Sequence, residues 1–433
     1  MVTIGGTKLP GVQTTVDSAS STGVNVGAAV QVGLVGQADL ANGTANANQV
    51  YEVSTPVKAR NYFGGGSMLA ENCVEALTEG AYPVYAVATE RTSETAEDIS
   101  GLGSTSGTLD NAPCEEDADS FTFTVDSTQK TAVLTMEDPH NKSPGTDEVY
   151  VNPTTGDFEL DAAPSASGDV DYEHFDYPAA NAVLFNEKAD VMDVVGVVNE
   201  NSAAVTDAHN EALEHDDQYE FTVVVAGAAS HIPDTATYTN SFDSSRIQLL
   251  YPSRNADDES IVGAYVGLRA ALGINNSPIW KRLQTQKDLA VTLSKAEQEE
   301  LVDETVVPVA DESRGARIVE DVTCVASDNA GEQAMSQVLH RMIVDYVTEV
   351  ANRTSERFIG ELHTPAARNA LKAIMVRELK GLLDTNAITA FTINVEKVDA
   401  MTASMDVGID TVDPLRNIVT TITAGEVTNG VAA

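Results

Sequence analysis

The sequence predicts an α/β (α+β) protein of several domains, in which helices flank mixed sheets. It also predicts an inserted β-rich outer domain and extended terminal arms. Three observations support this prediction. Buried-strand candidates alternate with helical segments early in the chain, residues 91–178 are acidic and turn-rich, and the last third places two long helices before three strand candidates. With 433 residues, of which 42% are apolar, the chain can form several domains with cores.

The first half predicts an α/β middle domain made of residues 23–90 and 179–275. Its apolar runs and helical stripes alternate in a strand–helix–strand order, which is typical of an α/β layer. Residues 1–22 are rich in Gly, Ser, Thr and Val and predict an extended N-terminal arm. The predicted strands are 28–36, 83–88, 191–198, 221–226 and 246–252, and the predicted helices are 68–78, 203–215 and 261–272.

Residues 91–178 predict an inserted acidic domain, because they carry 20 acidic and 3 basic residues. Segments 121–125 and 131–135 alternate around a polar turn, and so do 148–151 and 157–160, which predicts two hairpins. Such a density of carboxylates is costly to bury. We therefore expect this domain to project outward and to be dispensable if the chain assembles with copies of itself.

The remaining chain predicts a C-terminal α/β domain at 276–414. Ser294 and Glu297 have the spacing of a capping box at a helix start, and Thr364 and Pro365 fit the start of a later helix. The predicted helices are 332–358 and the one that begins at Thr364–Pro365, and the predicted strands are 317–324, 390–398, 404–412 and 417–423.

Both ends of the chain predict β-competent arms that are exchanged between subunits. They lie outside any capped helix, and an extended arm can add a strand to the sheet of a neighbour. The C-terminal arm is predicted at 415–433. The candidate arm strand residues are Val2, Thr3, Ile4, Val12, Asn417, Ile418, Val419, Thr420, Thr421, Ile422 and Thr423.

The net charge of −41 excludes nucleic acid as a partner, since phosphate would be repelled. Salt at about 1 M shortens the Debye length to about 3 Å and screens this repulsion, so the charge indicates adaptation to very high salt. An acidic, calcium-loaded surface protein is the alternative. Residues 246–433 hold 27 acidic and 18 basic residues, against 39 and 7 in residues 1–245. The lower acidity of residues 246–433 has two possible explanations. Either partner molecules cover this part of the chain, or its helices simply use more Arg and Lys in ion pairs.

Neither a membrane-spanning apolar run nor a secretory signal is evident, so we expect synthesis in the cytoplasm and no stable membrane insertion. The three cysteines are far apart in sequence and favour neither a disulfide framework nor a zinc site. His209 and His215 are expected to be solvated, and so is the acidic cluster of Glu115, Glu116, Asp117 and Asp119. Gly64, Gly65 and Gly66 predict a turn before a helix. We expect no catalytic or metal-binding residues, no cofactor and no enzymatic activity.

The order of several short motifs resembles the contractile tail sheath proteins of myovirus-like tailed viruses and related injection systems. The resemblance covers residues 240–424 well and 25–90 weakly, and the acidic insertion matches nothing specific. One departure is a shortened Trp-containing stretch at 277–280. The motifs are the apolar strand 32–36, Phe63-Gly64 before a helix, Leu249-Leu250-Tyr251-Pro252, Val262-Gly263-Ala264-Tyr265, and the segment from Leu293 through Leu301 and Val306–Val309 to Thr323.

This resemblance implies a structural protein of the virion tail that is assembled in the host cytoplasm. Subunits would polymerise as stacked hexameric rings around an inner tube and contract to drive the tube through the host envelope. The implied partners are copies of the chain, the tail tube protein, and the baseplate and tail terminator proteins. A haloarchaeal virus is the expected source. The alternatives are a haloarchaeal surface-layer or other shell protein and a halophilic cytoplasmic enzyme.

Overall fold

The computed structural model describes residues 23–24, 30–188, 192–216, 221–384, 387–411, 414 and 416. In this part of the chain, an eight-stranded, a seven-stranded and two two-stranded sheets are combined with eight α-helices. The predicted α/β class with mixed sheets flanked by helices is confirmed. No helix within these ranges is both long and apolar enough to cross a bilayer.

The elements are numbered in chain order. The strands are β1 Gly23–Val24, β2 Val32–Gly36, β3 Val50–Val53, β4 Val84–Ala88, β5 Glu90–Asp98, β6 Ser106–Thr108, β7 Thr122–Val125, β8 Thr128–Leu134, β9 Glu148–Val151, β10 Asp157–Leu160, β11 Gly168–Asp176, β12 Val194–Val198, β13 Val223–Gly227, β14 Ile247–Tyr251, β15 Val307–Ala310, β16 Arg317–Ile318, β17 Ala387–Ile388, β18 Ala390–Lys397 and β19 Ala403–Asp410. The helices are α1 Pro56–Phe63, α2 Met68–Glu79, α3 Tyr177–Lys188, α4 Ser202–Asp216, α5 Val262–Leu272, α6 Lys295–Asp303, α7 Val338–Glu356 and α8 Pro365–Asp384.

The eight-stranded sheet is the centre of the molecule, and its strand order is β16-β15-β14-β13-β12-β2-β4-β3. The six inner strands run parallel, and antiparallel β16 and β3 form the edges. Strands β2, β12, β13 and β14 are buried along their whole length. This is typical of parallel strands covered on both faces, and an apolar core lies on each side of the sheet.

Helices α2 and α5 cover one face of the central sheet, and α3 and α4 cover the other. Two glycines of α5 allow its close approach to α2. A Cβ atom at Gly263 would lie 2.3 Å from the carbonyl oxygen of Asn72, and one at Gly267 would lie 2.5 Å from that of Ala76. Any side chain at these positions would force the two backbones apart.

The inserted segment leaves the central sheet on a two-stranded ribbon. β5 follows β4 almost directly and pairs antiparallel with β11, with Glu90 opposite Asp176 at the base. β11 then joins a seven-stranded sheet of order β5-β11-β7-β8-β9-β10-β6, which has its own core around Phe123 and Phe158. The two predicted hairpins are confirmed as β7–β8 and β9–β10.

Some element predictions differ from the structure. The strand predicted at 317–324 is reduced to β16, because Asp321 turns inward to pair with Arg269 and breaks the alternation of a paired strand. The helix predicted from residue 332 begins only at Val338, after extended backbone at Gln337. Both β15 and β16 lie beyond residue 276 and yet belong to the central sheet. The domain boundary at 276 stays a prediction.

Candidate assembly interface

The C-terminal unit, defined here as residues 338–411, has a core of its own. Helix α8 packs against one face of the hairpin formed by β18 and β19, and α7 packs on α8 within the same apolar core. The buried core residues are Leu339, Ile343, Val347, Val350, Ala351, Met375, Leu379, Leu382 and Ile388, and the hairpin residues packed on them are Phe391, Ile393, Met405, Val407 and Ile409. Apolar and polar residues alternate along both strands, so the hairpin has one face on the helices and one in solvent.

The hairpin has two long edges that are open in a single chain. β18 and β19 pair along their full length, from Ala390 opposite Asp410 to Lys397 opposite Ala403, and form a sheet of only two strands. Within the described residues, the outer edge of each strand therefore pairs with no other strand. Such an edge presents backbone N–H and C=O groups to which an extended segment of another chain can bind.

The C-terminal unit is nearly neutral in a very acidic protein. Residues 338–411 hold 10 acidic and 8 basic residues, whereas residues 91–178 hold 20 and 3. Copies of the chain would therefore repel each other least where these units meet. The charge distribution favours this unit as the place of contact between copies.

Two described segments near the chain ends lie against the folded part. β1 pairs antiparallel with β17, with Gly23 opposite Ile388, immediately before the hairpin. Near the other end, Arg416 Nη2 lies 3.4 Å from Glu320 Oε1. The predicted arm residues Val2, Thr3, Ile4, Val12, Asn417, Ile418, Val419, Thr420, Thr421, Ile422 and Thr423 lie outside the described residues, so their strand exchange stays a prediction.

A cluster of buried charges fixes α7 to the central sheet. Arg246, immediately before β14, is almost fully buried and donates to both carboxylate oxygens of Asp345 on α7 and to Asp216 at the end of α4. Arg341 also donates to Asp345. Burial alone would raise the pKa of Asp345, but the two guanidinium groups outweigh it and hold that pKa below its ordinary value. The C-terminal unit is thus attached through charges that are costly to separate.

A second buried arginine joins the insertion to the central domain. Arg254 has a side chain only 1% exposed and donates to Glu200, at the carboxyl end of β12, and to Glu116 of the insertion. Burial lowers the pKa of Arg254, and the two carboxylates more than offset this and raise it above its ordinary value. The prediction of a solvated Glu116 is therefore wrong, because its carboxylate accepts hydrogen bonds from the buried Arg254.

The two histidines of α4 also differ from their prediction. His209 and His215 are both buried, not solvated. The His209 ring lies 5.6 Å from that of Phe242, and the His215 ring lies 5.7 Å from that of Phe185. Residues six apart do lie on different sides of a helix, but the surrounding protein covers enough of the surface of α4 to bury both histidine side chains. Burial lowers the pKa of His209, which favours a neutral ring.

The described residues show few features of a catalytic or metal-binding site. They contain no group of three or more His, Cys, Asp or Glu side chains placed to hold a metal ion. A small cavity of about 120 Å³ lies at the carboxyl end of β12 and β13, beside Glu200 and Tyr238. Cys73, Cys114 and Cys324 are buried free thiols. The glycines at 64–66 form the predicted turn between α1 and α2.

Solved structures of contractile sheath proteins match this fold along almost the whole chain. The helical sheath of the anti-feeding prophage in its contracted state aligns with a TM-score of 0.56 at 13% identity, covering 96% of this chain and 99% of that chain. A sheath tail protein from Listeria innocua aligns with a TM-score of 0.57 at 13% identity, covering 90% and 94%. The fold is that of contractile sheath proteins. A chain from the anti-feeding prophage baseplate aligns similarly, with a TM-score of 0.57 at 14% identity and coverage of 97% and 100%.

The likeness to sheath proteins lies in the fold rather than in the sequence. No family model and no curated protein matches the sequence. The alignment with the contracted sheath spans 96% of the chain. The alignment therefore spans more of the chain than residues 25–90 and 240–424, to which the sequence resemblance was limited, and the resemblance is confirmed at the level of fold.

Proposed function

We propose that this chain is a structural subunit of a contractile tail sheath. It polymerises as stacked hexameric rings around an inner tube, and contraction drives the tube through the host envelope. The observation that carries this proposal is the sheath fold along 96% of the chain. The nearly neutral C-terminal unit with two open strand edges supports it, because that unit has the chemistry of a site for strand addition.

The proposed partners follow from this role. They are copies of the chain, the tube protein that the sheath encloses, and the baseplate and terminator proteins at its ends. The likeness to a chain of a contractile baseplate supports the baseplate as a partner. The subunit is proposed to reside in the tail of a virion, to be assembled in the cytoplasm of a salt-adapted host, and to serve genome delivery without catalysis.

Electron microscopy of the purified protein in molar salt tests the proposal. We expect tubes or stacked rings with sixfold symmetry, and fewer of them as the salt is diluted, because the charge of −41 on each subunit is then less screened. Flat lattices would instead identify a surface-layer protein. Isolated particles under all salt conditions would contradict the sheath.

Removal of the arms tests the mode of assembly. Chains that lack 1–22 or 417–433 should stay folded and monomeric, since each added strand contributes several backbone hydrogen bonds at about 1 kcal/mol each. The matched control for the second deletion replaces Ile418, Thr420 and Ile422 with proline in a chain of full length. These changes remove backbone N–H donors without shortening the arm. Normal tubes from both deletions would refute strand exchange through the arms.

A further inference from the structure

Four cationic residues lie on two neighbouring segments with an exposed tryptophan, at one edge of the central sheet. We name the set Trp280, Lys281, Arg282, Arg314 and Arg317 the cationic patch. The Trp280 N–H donates to the carbonyl of Ile318 at 2.8 Å, and the Ile318 N–H donates to that of Lys281 at 2.9 Å. The patch is therefore fixed to strand β16 by backbone hydrogen bonds.

Trp280 is the only tryptophan of the chain and is 60% exposed. The guanidinium carbon of Arg317 lies 3.8 Å from the centroid of its ring, so one part of the indole covers this cation. The residue has a φ of 62°, an uncommon conformation for a bulky side chain. Exposed tryptophan and arginine together are typical of the central contacts of protein interfaces.

The patch is locally positive in a protein of net charge −41. Arg282 and Arg317 share one carboxylate, that of Glu312. Lys281 and Arg314 are exposed, and neither makes an ion pair with any described residue. Arg282 Nη1 donates to the carbonyl of Gly315 at 3.1 Å, which places Arg314 beside the other cations.

The same chain carries surfaces complementary to the patch, outside the insertion. Residues 202–216 of α4 hold four acidic and no basic residues, and of the four, Asp216 is already paired with Arg246. The helix also exposes Leu213, which is 41% accessible and could receive an indole. Residues 295–304, which include α6, hold five acidic residues and one basic residue, and α6 packs on the same side of the central sheet as α4.

The position of the patch also fits contact with a neighbouring copy. Glu320, two residues beyond β16, pairs with Arg416, so the chain passes this edge at the start of its predicted C-terminal arm. An arm that reaches a neighbour from here would bring the neighbour close to the patch. We propose that the cationic patch is a contact surface for a second copy of this chain and binds an acidic helical face of the kind that α4 and α6 present. This inference rests on the proposed assembly of the chain.

Trp280 allows a direct test, since the tryptophan emission of the chain comes from this residue alone. Quenching by acrylamide, which is uncharged, is compared between dissociated and assembled protein in the same high salt. We expect assembly to lower the quenching constant severalfold and to shift the emission to shorter wavelength. Assembly with unchanged quenching would overturn the patch proposal and leave the sheath function standing. A chain that never assembles would overturn both.

Charge reversal provides the second test. The Lys281→Glu/Arg314→Glu variant should remain folded, with an unchanged circular dichroism spectrum, and should form at least tenfold fewer tubes. The matched control, Lys58→Glu/Lys142→Glu, makes the same change in net charge outside the patch and should assemble like the parent. Equal assembly by the two variants would overturn the proposal, because only net charge would then matter.

Discussion

Arg254 holds the insertion and the central domain together, and its removal should be costly. Arg254→Met leaves the Glu200 carboxylate, with a side chain only 1% exposed, without its cation. We expect the free energy of unfolding to fall by about 3–5 kcal/mol in urea denaturation at constant salt. In the control Arg60→Met, the lost pair with Glu71 involves a side chain 51% exposed, so the loss should stay below about 1 kcal/mol.

A double variant separates loss of charge balance from loss of packing. If an unpaired Glu200 carboxylate causes the damage, Arg254→Met/Glu200→Gln should regain part of the lost stability, since the fully buried carboxylate is then neutral and only the partly exposed Glu116 lacks its cation. Equal instability of the single and double variants would contradict this explanation.

Asp193 should make stability depend on pH. The pKa of this carboxyl is raised from 3.8 to about 6, chiefly by burial; the Gln31 N–H opposes the rise, and the carboxylates of Asp345 and Glu349 add to it. Because the pKa is higher in the folded state, the neutral carboxyl stabilises the fold fully below about pH 4. This stability is lost as the pH rises through about 6.

The variant Asp193→Asn isolates this effect. Its amide oxygen can still accept the hydrogen bond from the Gln31 N–H. We expect the free energy of unfolding of the variant to rise relative to the parent by up to about 3 kcal/mol between about pH 4 and pH 7. A difference that stays constant with pH would show that Asp193 has an ordinary pKa.

The contact between α2 and α5 depends on two glycines. Gly263→Ala or Gly267→Ala places a methyl group less than 3 Å from backbone atoms of α2, and the shift that follows should cost about 1–3 kcal/mol. Gly381→Ala on α8 is the control, since its Cβ would meet no atom within 4 Å. The control should be neutral or stabilising by up to about 1 kcal/mol. Urea denaturation of the three variants measures the contrast, and equal effects would contradict close packing.

Elements whose local pattern matches their environment could be predicted from the sequence. Buried β2 and β4 are apolar throughout, and the Ser294–Glu297 capping box forms at α6 as predicted. β5 has no such signal, because it is a charged ribbon strand exposed on both faces. α3 also escapes prediction, since Asn181 occupies a buried position that depends on hydrogen bonds to α4.

In the candidate interface too, features set by the local sequence were predictable, and features set by contacts between distant residues were not. The hairpin strands β18 and β19 alternate clearly and were predicted. Their open edges follow from which strands pair, and pairing is decided by contacts distant in sequence. The same holds for Arg254, whose partner Glu116 is 138 residues away, and for the stacking of Arg317 on Trp280.

The whole molecule separates a nearly neutral unit from a strongly acidic one. Residues 338–411 differ from residues 91–178 in charge, and each has its own apolar core. The acidic unit leaves the central sheet on the ribbon of β5 and β11, so its carboxylates can face solvent without interrupting the main cores. A subunit of this kind would keep its most acidic part, the insertion, away from the contacts between copies.

This separation predicts that the insertion is dispensable for assembly. Glu90 and Asp176 are paired neighbours, so a short Gly-Ser linker can replace residues 91–175 without moving β4 or α3. Arg254 would lose Glu116 and keep Glu200, which leaves no buried charge unpaired. Electron microscopy in molar salt should show tubes like those of the parent.

The control Glu116→Gln in the full-length chain removes the same ion pair and keeps the domain. It should also form tubes, with a somewhat lower unfolding midpoint. If the shortened chain unfolds cooperatively but fails to assemble while Glu116→Gln assembles, the insertion itself contains an interface. The contacts between copies would then not be confined to the less acidic parts of the chain, and the proposed separation of contact from charge would be wrong.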